Sequence, residues 1–98
     1  METRQFTVSQ DAEGTFRFKG KVTIHDLEYL KKFLDASLAN LKSISLNMEE
    51  VIYADTASIQ LLIAFRKSRG SEVNWKITNI SPELGKVLEL SDFKKELI

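Results

Sequence analysis

Residues 51–62, VIYADTASIQLL, decide the fold. A short apolar stretch that resembles a strand end is followed by the polar residues Asp55 and Thr56 and then by a dense apolar run. Asp55 and Thr56 are both residue types that cap the N-terminus of a helix. Periodicity alone would allow the apolar run 59–65 to be strand or helix, but its length and the stop at Gly70 favour a helix. The segment therefore predicts a strand followed directly by a buried helix.

Upstream of this segment, the apolar pattern changes its period once. Apolar and polar residues alternate around Phe6 and around Phe16, with turn chemistry over residues 10–14, and this predicts an antiparallel hairpin. From Asp26 onward leucines recur at helical spacing, which predicts a helix over residues 26–40. These leucines are Leu27, Leu30, Leu34, Leu38 and Leu41.

Two further strands and two further helices follow from the remaining pattern. Residues 43–48 alternate and predict a strand that ends in an acidic turn at Glu49-Glu50, and residues 73–78 alternate again. Ser81 followed by Pro82 is a cap and first-turn pair that opens a helix. A last short helix begins at Ser91 or Asp92.

The predicted element order is β-β-α-β-α-β-α-α over one domain, residues 1–98. Strand–helix–strand crossovers are parallel and right-handed, so the fold class is α/β with a mixed four-stranded sheet. The parallel strands alternate where fully covered strands would be uniformly apolar. We therefore expect the helices mainly on one face and the other face partly open to solvent.

Composition narrows the functional classes. The 98 residues contain 14 basic and 14 acidic side chains, so no strong positive electrostatic field favours binding to nucleic acid or to an anionic membrane. The chain has no cysteine, which excludes thiolate metal sites and cysteine nucleophiles and fits the cytoplasm. Residues 1–10 are polar and alternating, without the pattern of a signal peptide, and no segment predicts membrane insertion.

Catalysis has one arrangement that can be imagined from the sequence. The single histidine, His25, precedes the first helix and is expected at the same sheet edge as Thr56, so a hydrolase using Thr56, His25 and Asp55 can be drawn. Sequence separation does not show that these groups meet. No metal-ligand spacing and no phosphate-binding glycine loop is present, so we expect no cofactor and a protein that is not an enzyme.

The segment around Asp55 resembles the signature of the STAS domain, the fold of bacterial anti-sigma-factor antagonists. That signature is an apolar strand end, Asp, Ser or Thr, a small residue, Gly and an aliphatic residue; Asp55, Thr56, Ala57, Ser58 and Ile59 occupy these places, with Ser58 where glycine is usual. FKGKVTI, SISLNMEEV and NISPELGKVLELSDF extend the resemblance over nearly the whole chain.

The resemblance implies a role and a set of partners. In antagonists of this family the hydroxyl residue after Asp accepts a phosphate from a kinase that is also the anti-sigma factor, and Thr56 holds that place. Threonine also occurs there in members from stress-signalling complexes, in members linked to chemotaxis, and in small subunits of phospholipid-transporting ABC systems. The expected partner is therefore an anti-sigma kinase or signalling complex, with an ABC ATPase as the alternative.

We expect a partner-binding edge built from the two segments that lead into the first two helices. A phosphate on Thr56 would add negative charge beside Asp55 and Glu50 and repel an acidic partner without unfolding the helix. The simpler alternative is that Asp55 and Thr56 only cap the helix. A homodimer through the open sheet face is also left open. The residues of the expected edge are Ile24, His25, Glu50, Asp55, Thr56, Ala57, Ser58 and Gln60.

Overall fold

Four strands form one mixed sheet in the order in which they occur along the chain. The computed structural model describes residues 5–98, and its sheet has the order β1-β2-β3-β4. β1 and β2 pair antiparallel as the predicted hairpin, whereas β2 with β3 and β3 with β4 are parallel. The strands are β1 (Phe6–Gln10), β2 (Phe16–Val22), β3 (Ser43–Ala54) and β4 (Asn74–Ile80).

The helices follow the strands in the predicted order. The segment expected as one helix over residues 26–40 consists of a 3-10 turn (Ile24–Asp26), α1 (Leu27–Phe33) and a π-helical turn (Leu34–Leu38). The later helices are α2 (Thr56–Arg69), the 3-10 turn Gly70–Glu72, α3 (Pro82–Ser91) and α4 (Lys94–Leu97). The element order and the α/β class with a mixed four-stranded sheet are confirmed.

The core lies between one face of the sheet and the helices. Strand residues on that face are buried, and they contact the buried leucines of the first helical segment and of α3. Thr7, Lys19 and Lys76 on the opposite face are exposed. The predicted arrangement, with helices on one face and the other face open, is confirmed. The fully buried large side chains are Phe6, Phe18, Leu30, Leu34, Leu38, Ile44, Leu46, Ile59, Leu84, Leu88, Leu97 and Val51.

The predicted acidic turn at Glu49-Glu50 is wrong, because both residues lie inside β3. β3 carries one extra residue relative to β2 in two places. The first lies between the pairs Arg17–Asn47 and Lys19–Glu50, and the second is Ile52. Each extra residue is a bulge that changes which side chains face the core. The alternation therefore breaks although the strand continues, and two adjacent acidic residues at such a break look like a turn in the sequence.

Two contacts fasten the C-terminal helices to the sheet. Ser81 is buried at the start of α3, where its hydroxyl donates a hydrogen bond to the Val51 carbonyl oxygen and accepts one from the Leu84 backbone N–H. The indole Nε1 of Trp75 donates to the Leu97 carbonyl oxygen at 2.9 Å. The predicted Ser81-Pro82 helix start is confirmed, and the last helix begins slightly later than predicted, at Lys94.

Residues 1–4 lie outside the described part of the chain. The predicted domain over residues 1–98 and the alternating segment 1–10 both extend into this range. Within residues 5–98, no helix is both long enough and apolar enough to cross a membrane.

Candidate functional site

The carboxyl ends of β2 and β3 hold the two segments that the sequence singled out. The backbone N–H of Asp55 donates to the Val22 carbonyl oxygen at 3.1 Å, which continues the parallel pairing past the last strand residues. The backbone N–H of Ile24 donates to Asp55 Oδ2 at 2.6 Å. The turn that contains Ile24 and His25 therefore lies beside the start of α2, at one edge of the sheet.

Asp55 is the residue that joins these segments. Its Oδ1 accepts a hydrogen bond from the Ser58 backbone N–H at 2.9 Å, which makes Asp55 the N-cap of α2. Its other oxygen binds Ile24 in the neighbouring turn. One carboxylate thus satisfies an otherwise unpaired helix N–H and fixes the adjacent turn, and Thr56 becomes the first residue of the helix.

The hydrogen bonds at Asp55 also favour its charged form. Partial burial by itself raises the pKa of Asp55, but the backbone N–H groups of Ser58 and Ile24 lower it by more, so the pKa lies below the ordinary aspartate value. The folded state therefore binds a proton at Asp55 less readily than the unfolded chain does. Asp55 stabilises the fold at neutral pH, and this contribution is lost as the pH falls through the lowered pKa.

Asp55→Asn is expected to reduce the loss of stability on acidification. At neutral pH the variant should be about 1 kcal/mol less stable, because the amide has one acceptor oxygen and no charge, so it cannot accept both the Ser58 and the Ile24 N–H. The difference from wild type should shrink as the pH falls below roughly 4, where the wild-type carboxylate also loses its charge. Urea unfolding of both proteins at several pH values measures this. If the free energies of unfolding of the two proteins differed by the same amount at every pH, Asp55 would not be the carboxylate whose lowered pKa stabilises the fold.

Thr56 presents an exposed side chain at this edge. It is exposed at the first position of a 14-residue helix, and Gln60 one turn later is exposed as well. Ala57 between them is half-buried. The Thr56 side chain is accessible to a second protein, while its backbone is held by the cap next to it.

Ser58 differs from the other residues of the expected edge, because its side chain is fully buried. Its backbone N–H donates a hydrogen bond to Asp55 Oδ1. Ser58 therefore acts inside the cap and does not present a side chain to a partner.

His25 and Glu50 are both exposed and lie near other ionisable side chains. His25 is exposed, and its Nε2 lies 3.8 Å from Oδ1 of the buried Asp26, whose Oδ2 accepts the Gln5 backbone N–H. Glu50 is exposed on the open sheet face opposite Lys19. Its carboxylate lies 3.4 Å from Arg17 and 3.8 Å from Lys19. The acidic charge of Glu50 is thus partly balanced by the neighbouring strand.

The sequence interpretation missed Ile52 and Tyr53, which are exposed apolar residues near the end of β3. Lys21 pairs with Tyr53 in the sheet, while Ile52 is the extra residue of the second bulge. The signal in the sequence was three successive apolar residues, 51–53, in a strand that otherwise alternates. A strand with one covered face cannot bury all three.

The geometry of Asp55 bears on the hydrolase that the sequence left open. Both carboxylate oxygens of Asp55 accept hydrogen bonds from backbone N–H groups, which is the arrangement of a helix cap that also ties down a neighbouring turn. Within residues 5–98, no group of three or more His, Asp or Glu side chains is arranged to hold a metal ion.

Comparison with known proteins identifies relatives of this fold. The family model described as STAS domain matches residues 4–97. No curated protein sequence matches the chain. An anti-sigma factor antagonist from Mycobacterium paratuberculosis superposes with a TM-score of 0.75 at 14% identity, covering 92% of this chain and 79% of that one. The anti-sigma factor antagonist SpoIIAA in its unphosphorylated form gives a TM-score of 0.69 at 17% identity, covering 95% and 85%.

Proposed function

Because the chain belongs to the STAS domain family, we propose that it is a non-enzymatic regulatory protein that acts by binding another protein. The binding surface is the edge where the Ile24–Asp26 turn meets the start of α2. The observation that carries this proposal is the exposed Thr56 on a helix start that Asp55 holds in place. A partner protein can contact an accessible hydroxyl on a fixed backbone without a change of fold.

Phosphorylation of Thr56 is the proposed control of that binding. A phosphate at the first residue of α2 would lie near the positive end of the helix dipole, so the helix should stay formed. The added charge of about −1.5 to −2 would lie next to the Asp55 carboxylate and change the electrostatics of the edge. An acidic partner that accepts unmodified Thr56 would then be repelled while the protein remains folded.

The proposed partner is an anti-sigma factor with kinase activity, or a related signalling complex in the bacterial cytoplasm. The two structural relatives support this class, since both are described as anti-sigma factor antagonists and SpoIIAA is described by its phosphorylation state. The similarity in fold supports the shape of the surface.

Capture of partners with three baits tests the proposal. The wild-type chain and Thr56→Ala are expected to capture the same kinase or signalling protein, and Thr56→Glu should lose it, because a negative charge mimics the phosphate. Mass spectrometry of the captured proteins identifies the partners, and mass spectrometry of the bait detects phosphate on Thr56.

Ser71→Glu is the matched control, because it adds the same charge at an exposed position just after the other end of α2. It should capture the partner as the wild type does. Capture of an ABC ATPase equally by wild type, Thr56→Ala and Thr56→Glu, with no phosphate on Thr56, would overturn the switch and make Thr56 a structural residue.

A further inference from the structure

Exposed apolar side chains are concentrated at one place on the molecule. Within residues 5–98, five large apolar side chains are exposed, and three of them are Ile24 (66%), Ile52 (54%) and Tyr53 (46%). The other two, Leu90 and Ile98, belong to the C-terminal helical segment. Single exposed apolar residues are ordinary, whereas neighbouring ones mark a contact surface. We call Ile24, Ile52 and Tyr53 the apolar patch.

Ile52 and Tyr53 are neighbours in β3, and the backbone holds Ile24 close to the end of that strand. Ile52 is the extra residue of a bulge, so it has no partner position in β2, and Tyr53 follows it opposite Lys21. The hydrogen bond from the Ile24 N–H to Asp55 fixes Ile24 beside the end of the same strand. Bulges that redirect a side chain recur next to functional sites, and this one turns an isoleucine toward solvent.

The charges beside the patch include both signs. Lys21 on β2, which pairs with Tyr53, and Glu49 on β3 are exposed, while Glu50 lies in ion pairs with Arg17 and Lys19 of the same chain. The chain as a whole has a formal net charge of +0 at pH 7. A surface with both signs beside one apolar centre can complement itself when related by a two-fold axis. The absence of net charge also removes long-range repulsion between copies.

We propose that the apolar patch binds a second copy of this chain in a two-fold symmetric dimer. Tyr53 and Ile52 of one copy would pack against the same residues of the other, with Lys21 of each copy facing Glu49 of its partner. Because the chain has no net positive charge, no long-range electrostatic attraction draws this surface to an anionic lipid membrane. The patch is small beside the interfaces of stable dimers, so a dissociation constant on the order of 0.1 mM is expected.

The dimer would have a regulatory consequence, which rests on the proposed function. Ile24 lies beside the helix start that carries Thr56, so a second copy on the apolar patch would cover part of the proposed partner surface. Self-association and partner binding would then compete. The dimer itself does not depend on Thr56 being modified.

Sedimentation equilibrium of the full chain tests the dimer over about 10 µM to about 1 mM, a range that brackets the expected dissociation constant. The wild type should show a dimer fraction that rises with concentration. Ile52→Glu and Tyr53→Glu should each remain monomeric at the highest concentration, and circular dichroism should show that both stay folded. Leu90→Glu is the matched control, because it places the same charge on a side chain that is 90% exposed elsewhere; it should dimerise as the wild type does.

Three results would overturn the inference. A wild type that stays monomeric at about 1 mM would exclude a dimer of the expected strength. Dimerisation that Leu90→Glu abolishes and Ile52→Glu leaves intact would place the interface elsewhere. Binding of monomeric wild type to phosphatidylserine vesicles, lost in Ile52→Glu, would assign the patch to a lipid surface. Each of these leaves the capture experiment on Thr56 unaffected, so the two proposals can fail separately.

Discussion

Gly20→Ala is expected to lower the free energy of unfolding by about 3 kcal/mol or more, because Gly20 has a backbone φ of +106° that side chains disfavour. A Cβ at this position would overlap the backbone oxygen of Gln5 and lie 3.1 Å from the Cα of Phe6. Neither neighbour can yield easily, since the Gln5 oxygen accepts the Lys21 N–H and Phe6 is in the core. The hairpin would have to separate locally.

Thermal unfolding followed by circular dichroism measures this effect. A loss of about 3 kcal/mol corresponds to a midpoint lower by roughly 12 to 24 °C for a domain of this size. Gly85→Ala is the matched control, because Gly85 lies inside α3 and a Cβ there would meet nothing within 4 Å. It should raise the stability by about 0.5 to 1 kcal/mol. Similar destabilisation by both substitutions would show that Gly20 is not specially constrained.

Ser81→Ala is expected to have the second largest effect, a loss of about 2 to 3 kcal/mol. The Ser81 hydroxyl caps α3 through the Leu84 N–H and also donates to the Val51 carbonyl oxygen in β3. Removing it takes away the cap and leaves a buried carbonyl group without that donor. Both consequences act at the junction between the sheet and the C-terminal helices.

Urea unfolding of Ser81→Ala and of Ser91→Ala measures the loss of stability when a serine with two hydrogen bonds or a serine with one is removed. Ser91 donates its hydroxyl to the Val87 carbonyl oxygen within the same helix, so its loss should cost at most about 1 kcal/mol. Equal losses in the two variants would mean that the bond from Ser81 to Val51 contributes nothing.

The boundaries that the sequence predicted well were those with local chemistry. Asp55 before an apolar run and Gly70 after it mark α2 through groups that lie within a few residues, and the structure places the helix between them. Ser81 and Pro82 mark α3 in the same way. Capping depends on side chains next to the helix end, so a short stretch of sequence contains the whole signal.

The parts that the sequence did not predict depend on pairing between distant strands. The bulge at Ile52 exists only relative to Gly20 and Lys21, some thirty positions earlier in the sequence, and its effect is to expose an isoleucine and a tyrosine. The acidic pair inside β3 looked like a turn for the same reason. At the candidate site, the sequence located Asp55 and Thr56, but the carboxylate bond to the Ile24 N–H required the register of β2 and β3.

Trp75 gives this chain an optical probe at a useful place. It is the single tryptophan of the sequence, and its indole is hydrogen-bonded to the carbonyl oxygen of Leu97 in the last helix. Its fluorescence therefore reports on the attachment of the C-terminal end to the sheet as well as on global unfolding. Comparison of fluorescence with circular dichroism in one denaturation series can detect whether that end detaches before the rest of the domain, without any added label.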